Sequence, residues 1–229
     1  MTLLDGEHLI ESYAQTGGTP KILAVSESAL ETTGAGALFE STPADEKWVL
    51  SDSLLRSLSP VDTPVGLVAV ISIPDNLSVT SAGQSCLLLE GIQDPGNVGT
   101  MLRTAAAAGI TDVLLSPGCA FAWSPKVMRA GQGAHFQLSI REDADLLVAA
   151  KAFQGKVIAT LPRADRTLFE ADLRGPVAWM FGSEGAGLSE GMASCATESV
   201  SIPMPGKTES LNVAAALAVC LFEQVRQKA

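Results

Sequence analysis

Ser199-Val-Ser-Ile-Pro-Met-Pro-Gly-Lys-Thr-Glu-Ser-Leu-Asn-Val-Ala-Ala-Ala-Leu-Ala-Val-Cys-Leu-Phe222 is the stretch around which the chain is organised. It begins as a strand over 199–202, crosses a proline-stiffened polar loop and enters an apolar helix that ends near Gln227. A helix with hardly a polar residue between Val213 and Phe222 belongs in the middle of a fold or in an interface, not on a surface. The polar loop at its mouth is a place where a ligand can sit. Gly206-Lys207-Thr208 looks like the end of the phosphate-binding pattern G-x-x-x-x-G-K-[ST], but the residue five before Gly206 is Ser201. Pro203 and Pro205 also remove two of the backbone N–H groups that a phosphate cradle needs. A loop with fixed φ and exposed carbonyls suits an adenine edge better than a triphosphate.

Upstream of this stretch, strands and helices alternate twice. In the first series strands read over 2–4, 21–26 and 48–50, with helices over 7–15 and 53–58. The apolar run 65–73, bounded by Pro64 and Pro74, suits a central strand. Residues 75–85 are polar and serine-rich and read as a linker. From Cys86 the alternation restarts, with strands over 86–91, 112–116, 137–140, 156–161, 177–181 and 199–204. Helices fill the gaps over 98–108, 125–131, 144–153, 188–196 and 211–227. Apolar strands separated by helices make an α/β fold, a parallel sheet with helices on both faces. Taken alone, this pattern predicts an ordinary doubly wound sheet with ligands at its carboxyl edge.

Composition narrows the function classes. The chain has 229 residues, of which 47% are hydrophobic and 17% charged, enough for one or two domains with ample cores. Its longest unbroken apolar run, 213–222, is half of what a bilayer requires, so no membrane span is expected. The opening residues Met-Thr-Leu-Leu-Asp-Gly-Glu carry no basic segment of a signal peptide. Cys86, Cys119, Cys195 and Cys220 form no C-x-x-C pair and read as reduced thiols of a cytoplasmic protein. His8 and His135 stand alone, so no metal site is expected. The net charge of −10 is uneven: residues 1–85 carry 11 acids and 3 bases, residues 86–229 carry 14 and 12. A bulk basic footprint for nucleic acid is absent.

Three stretches carry candidate chemistry. In Gln93-Asp-Pro-Gly-Asn-Val-Gly-Thr-Met-Leu-Arg-Thr-Ala105, Asp94-Pro95-Gly96 is a turn and Asn97 the expected helix cap. There Gly99 permits a close approach, and Arg103 follows four residues later on the same face. Phe181-Gly-Ser-Glu-Gly-Ala-Gly-Leu188 follows a strand, and its three glycines hold Glu184 among them. It contains neither a dinucleotide fingerprint nor a nucleophile elbow. In the opening stretch Ser210 reads as the cap of the last helix and Asn212 as a first-turn residue.

In this order, D-P-x-N-x-G-x-x-x-R-T-A, G-x-E-x-x-G-L and I-P-M-x-G-x-x-x-S-L-N-V resemble the three motifs of the SpoU (TrmH) family, RNA ribose 2′-O-methyltransferases of the SPOUT class. The resemblance covers residues 86–227, including Lys126-Val-Met-Arg-Ala130. Residues 1–74 more loosely resemble the small α/β substrate-binding domain of many members. The resemblance implies a sheet whose carboxyl-terminal part is threaded into a trefoil knot, a homodimer, and S-adenosyl-L-methionine in the knot loops. By position it implies cofactor contacts at Thr160, Leu161, Gly182, Ile202, Met204 and Leu211. It also aligns Asn97, Arg103, Glu184, Ser210 and Asn212 with the family's functional polar positions. The expected reaction is methylation of a ribose 2′-hydroxyl in ribosomal or transfer RNA, and the rival is a non-catalytic dimer that binds RNA or cofactor. Arginine stays protonated and makes an awkward base, so Arg103 is expected to grip a phosphate, oriented by Asn97 and Glu184. Lys126, Arg129, Arg103, Arg163, Arg166 and Lys207 are expected to form a local basic patch on an acidic molecule.

Overall fold

The computed structural model describes residues 1–59, 64–74 and 83–229. Most of the expected linker, residues 75–82, lies outside the described residues. The first sheet contains β1 (Thr2–Asp5), β2 (Ile22–Ser26), β3 (Glu46–Leu50) and β4 (Leu67–Ile71), in the order β1-β4-β2-β3. The apolar run does form an interior strand, but β4 runs antiparallel to both β1 and β2, and only β2 and β3 are parallel. A run buried on both faces marks an interior position without fixing strand direction. Four helices accompany this sheet: α1 (Glu7–Gln15), α2 (Glu27–Leu30), α3 (Ala35–Ser41) and α4 (Asp52–Leu58). The two absent from the sequence reading, α2 and α3, are short, and the Ser26 hydroxyl caps α2 by accepting from Ala29 N–H.

The second sheet contains β5 (Cys86–Glu90), β6 (Asp112–Leu115), β7 (Ser139–Arg141), β8 (Lys156–Thr160), β9 (Arg166–Thr167), β10 (Val177–Gly182) and β11 (Glu198–Ser201). Their order is β7-β6-β5-β10-β8-β11-β9, and every neighbouring pair is parallel. Strand β11 is shorter than its apolar pattern: it stops at Ser201, and Pro203 has no N–H to extend a ladder. The edge strand β9 has only two residues and no sequence signal. Helices α5 (Pro95–Ala107), α6 (Pro125–Gly131), α7 (Leu146–Ala152), α8 (Glu190–Ser194) and α9 (Val213–Lys228) complete the alternation.

Side chains one residue apart on a strand point to opposite faces, and the two cores follow that parity. Leu87, Leu89, Trp179 and Phe181 pack under α5 and α9, with Val98, Leu102, Leu217 and Leu221. Cys86, Leu88, Ala178 and Met180 pack on the other face with Leu146 of α7 and Met192 of α8. Each fully buried leucine contributes about 1.5–3 kcal/mol. Helix α9 lies against α5 and β10 and buries Val213, Ala214, Leu217, Cys220 and Leu221, yet leaves Phe222 and Val225 exposed. Burial raises the thiols of Cys86 and Cys220 to about 12.

The two sheets share one apolar cluster, running from Leu4 and Ile10 to Val98 and Met128. The rings of Tyr13 and Phe136 lie 5.2 Å apart across this contact, and the Thr2 hydroxyl donates to the Trp123 carbonyl. Among the described residues no helix is long and apolar enough to cross a membrane. No group of three or more His, Cys, Asp or Glu side chains there could hold a metal ion.

Candidate functional site

Parallel strands end on one edge, and inserting β10 between β5 and β8 brings the loops after β5, β8, β10 and β11 together there. Between them lies a cavity of about 540 Å³, within the usual range for small-ligand sites. Thr160 and Leu161 reach it from the end of β8, Gly182 from β10, and Ile202, Met204 and Leu211 from the segment between β11 and α9. Glu184, Ser210 and Asn212 line it too.

The loop after β10 explains its own glycines. Its turn closes with Gly187 N–H donating to the Ser183 carbonyl at 2.8 Å, and Ala186 N–H donating to the Ser183 hydroxyl at 3.2 Å. Gly187 has φ 69°, a region open to glycine. A Cβ on Gly182 would lie 2.1 Å from the Gly187 carbonyl carbon and 2.2 Å from Leu188 N. Gly182 is therefore required by the close approach of the loop's own backbone. Beyond the loop, Glu90 at the end of β5 accepts from Ser189 N–H at 2.8 Å and from its hydroxyl at 2.7 Å, fixing the start of α8.

The start of α5, the loop after β10 and the cap of α9 meet in one polar cluster. Glu184 Oε1 accepts from Asn97 Nδ2 at 2.9 Å and from Asn212 Nδ2 at 2.7 Å. Asn212 Nδ2 also donates to Asn97 Oδ1 at 2.9 Å. Asn212 Oδ1 accepts from Ala214 N–H at 3.0 Å and Ala215 N–H at 3.2 Å, so Asn212 caps α9. With the oxygen of Asn212 committed to the helix, its amide must donate into the cluster. Both amide orientations are thus fixed by the bonds themselves.

Several expected roles are corrected. The cap of α5 is Asp94, whose Oδ1 accepts from Asn97 N–H at 2.8 Å, and Asn97 sits in the first turn. Proline is favoured at the first helical position, so the Asp94-Pro95 pair is the signal that fixes this start. Ser210 does not cap the last helix, and Leu211 lies before that helix, not within it. Gly99 admits the neighbouring helix: a Cβ there would stand 2.6 Å from the Val127 carbonyl oxygen and 2.4 Å from Ala130 Cβ of α6. Arg103 is not held by Asn97 or Glu184; it is exposed on α5 and makes no hydrogen bond or ion pair among the described residues. Nor does it line the cavity. Arg166 of the expected basic patch is paired with Glu198 at 3.3 Å, whereas Lys126 and Arg129 are exposed on α6, which packs against α5.

The cavity also reveals a residue that sequence reasoning missed. Glu209 lines it one position before Ser210, and only the fold gives it significance. Among the described residues, Glu184 and Glu209 are the ionisable side chains lining the cavity, with no lysine, arginine or histidine; Leu161, Leu188, Ile202, Met204 and Leu211 give apolar walls. Such a site suits a flat apolar base joined to a positive charge and disfavours a triphosphate.

Residues 84–222 match the SpoU rRNA Methylase family. Over 227 residues the chain is 31% identical to the 23S rRNA (guanosine(2553)-2′-O)-methyltransferase RlmP of Bacillus subtilis, covering 96% of this chain and 86% of that protein. It is 38% identical over 185 residues to an uncharacterized tRNA/rRNA methyltransferase of a Synechocystis species, covering 79% of this chain and 68% of the relative. A crystal structure of an RNA 2′-O ribose methyltransferase superposes with a TM-score of 0.85 at 33% identity, covering 99% of this chain and 88% of the other. The SpoU methyltransferase AviRb from Streptomyces viridochromogenes, in complex with AdoMet, gives a TM-score of 0.84 at 26% identity, covering 99% and 90%.

Proposed function

The chain belongs to the SpoU rRNA Methylase family, and from that premise we propose how its residues divide the work of methylating a ribose. The protein is an RNA ribose 2′-O-methyltransferase that uses S-adenosylmethionine. When bound, the cofactor supplies an electrophilic methyl group on a sulfonium. We assign it to the cavity edged by Thr160, Leu161, Gly182, Ile202, Met204 and Leu211. The observation that carries this reading is the cluster of Asn97, Glu184 and Asn212 at the cavity's border. It is built from the first turn of α5, the loop after β10 and the cap of α9, which suits a fixed surface against which a ribose is aligned.

Holding a hydroxyl in line with a methyl group supplies much of the rate, by converting an encounter into an oriented contact. Glu184, Asn212 and Ser210 are the polar groups we assign to orienting the ribose. Arg103, exposed and without a partner among the described residues, is free to grip the neighbouring phosphate in bidentate fashion and to stabilise the developing alkoxide. The carboxyl-terminal segment is proposed to form a trefoil knot, which the insertion of β10 between β5 and β8 supports. The protein is proposed to act as a homodimer in the cytoplasm, without a metal. The exposed apolar side chains Phe222 and Val225 on α9 support the dimer, and the free cysteines support a reducing setting. Residues 1–74 are assigned to substrate binding and residues 86–229 to catalysis; ribosomal RNA is the favoured substrate. Calorimetry with S-adenosylmethionine and transfer of a tritiated methyl group to ribosomal RNA test the reading together. Cofactor or RNA binding without transfer would leave a non-catalytic binding dimer.

A further inference from the structure

We infer that Glu209 is a specificity-determining residue that makes the cavity prefer the charged methyl donor to the neutral-sulfur product. The inference rests on the assignment of S-adenosylmethionine to this cavity. Its basis is the charge inventory of the walls: among the described residues, the ionisable side chains lining the cavity are the carboxylates Glu184 and Glu209, and the neighbouring cations Arg163 and Lys207 do not line it.

The two carboxylates differ in what the protein does with them. Glu184 Oε1 is anchored by the amides of Asn97 and Asn212. Two donors on one oxygen divert part of its field into fixed dipoles. Glu209 makes no hydrogen bond or ion pair among the described residues, although it lines the same cavity. Its charge remains available to a ligand. The side chain itself is exposed at the cavity's rim, so solvent screens it in part, while Leu161, Ile202, Met204 and Leu211 line the rest of the cavity.

The reaction changes the one quantity to which such a carboxylate responds. A lone pair of the ribose 2′-oxygen forms the new carbon–oxygen bond, and the hydroxyl proton passes to solvent water. The pair of the broken carbon–sulfur bond stays on sulfur. A sulfonium of charge +1 thereby becomes an uncharged thioether, while the ligand's adenosine and amino-acid ends are unaltered. A carboxylate directed at the sulfur loses its attraction at turnover, which favours exchange of product for fresh donor. One directed at the amino-acid end would hold donor and product equally.

Calorimetry of wild-type protein and Glu209→Gln with S-adenosylmethionine, S-adenosylhomocysteine and sinefungin, which keeps a positive charge at the sulfonium position, tests this. Wild type is expected to bind both charged ligands more tightly than the homocysteine product. Glu209→Gln should weaken the two charged ligands about five- to tenfold and leave the product within about twofold. Glu209→Asp should restore part of the preference, and thermal unfolding should match wild type because the side chain is exposed and unpartnered. An equal loss for all three ligands, or no loss for any, overturns the inference while leaving the cavity assignment standing. Failure of all three to bind wild type would instead overturn the assignment beneath it.

Discussion

Arg103 is the side chain whose environment departs furthest from its expected one. It was expected to be oriented by Asn97 and Glu184, but those groups bond to each other and to Asn212. Arg103 is exposed with no partner among the described residues, and so is available to the phosphate clamp proposed above. Arg103→Lys should therefore fold and bind cofactor as wild type does, yet lose single-turnover methyl transfer by about a hundredfold. That is about 2.7 kcal/mol of transition-state stabilisation, because an ammonium lacks the planar fork that grips a phosphate. Near-normal transfer by the lysine variant would remove the proposed clamp. His135 is the opposite kind of residue, 1% exposed, with Nε2 2.8 Å from the Ala122 carbonyl and Nδ1 unpartnered. Burial lowers its pKa to about 4, against 6.5 for a free imidazole. Between those values the unfolded chain holds the extra proton, so stability falls as pH drops from about 6.5 to 4, by about 3 kcal/mol at most. Urea unfolding at pH 7 and pH 4.5 should show that loss in wild type and a much shallower one in His135→Gln.

At the scale of elements, the loop after β10 decides whether a cavity exists. Its backbone comes so close to Gly182 that a single methyl displaces it, with Gly187 and Leu188 at 2.1–2.2 Å from the would-be Cβ. Gly182→Ala is expected to weaken S-adenosylmethionine binding at least tenfold in calorimetry and to destabilise the fold by about 1–3 kcal/mol. Unaltered affinity would mean that the loop does not shape the pocket. Much of this organisation was legible in the sequence, because long apolar strands and amphipathic helices carry their period with them. Helices α1 and α6 have the expected bounds, and β5, β8 and β10 differ by about one residue. Caps were less legible. Asp94 and Asn97, or Ser210 and Asn212, are each plausible caps by residue type, and only the helix path decides between them. The strand β9 and the helix α2 are too short to show a period, and α3, opening on Ala-Gly-Ala, carries a weak one. The candidate site was legible through motifs that set its residues in three distant stretches. Glu209 has no such signal, since a glutamate in a polar loop is ordinary until the loop folds over a cavity.

On the scale of the whole molecule, an RNA-modifying enzyme of net charge −10 must meet a polyanion through a local surface. With 11 acids and 3 bases, residues 1–85 cannot supply the phosphate contacts in bulk, so the substrate binding proposed for the first sheet's unit would rest on shape and local contacts. Arg103 on α5 and Lys126 and Arg129 on α6 are exposed cations on packed neighbouring helices, with no carboxylate partner among the described residues. Lys126 and Arg129 are three residues apart and so share one face of α6. If this pair neutralises two phosphates, each contact releases condensed counterions, and the logarithm of affinity falls with the logarithm of salt concentration in proportion. Replacing both by glutamine should reduce that slope by about 1.4–1.8, from about 0.7 per contact on single strands to about 0.9 on a duplex. The measurement is RNA binding across a salt series, with cofactor calorimetry alongside to show that the cavity is intact. A slope that does not change would move the RNA backbone away from α6, and the exposed Arg163 and Lys207 on the loops beside the cavity would be the cations to test next.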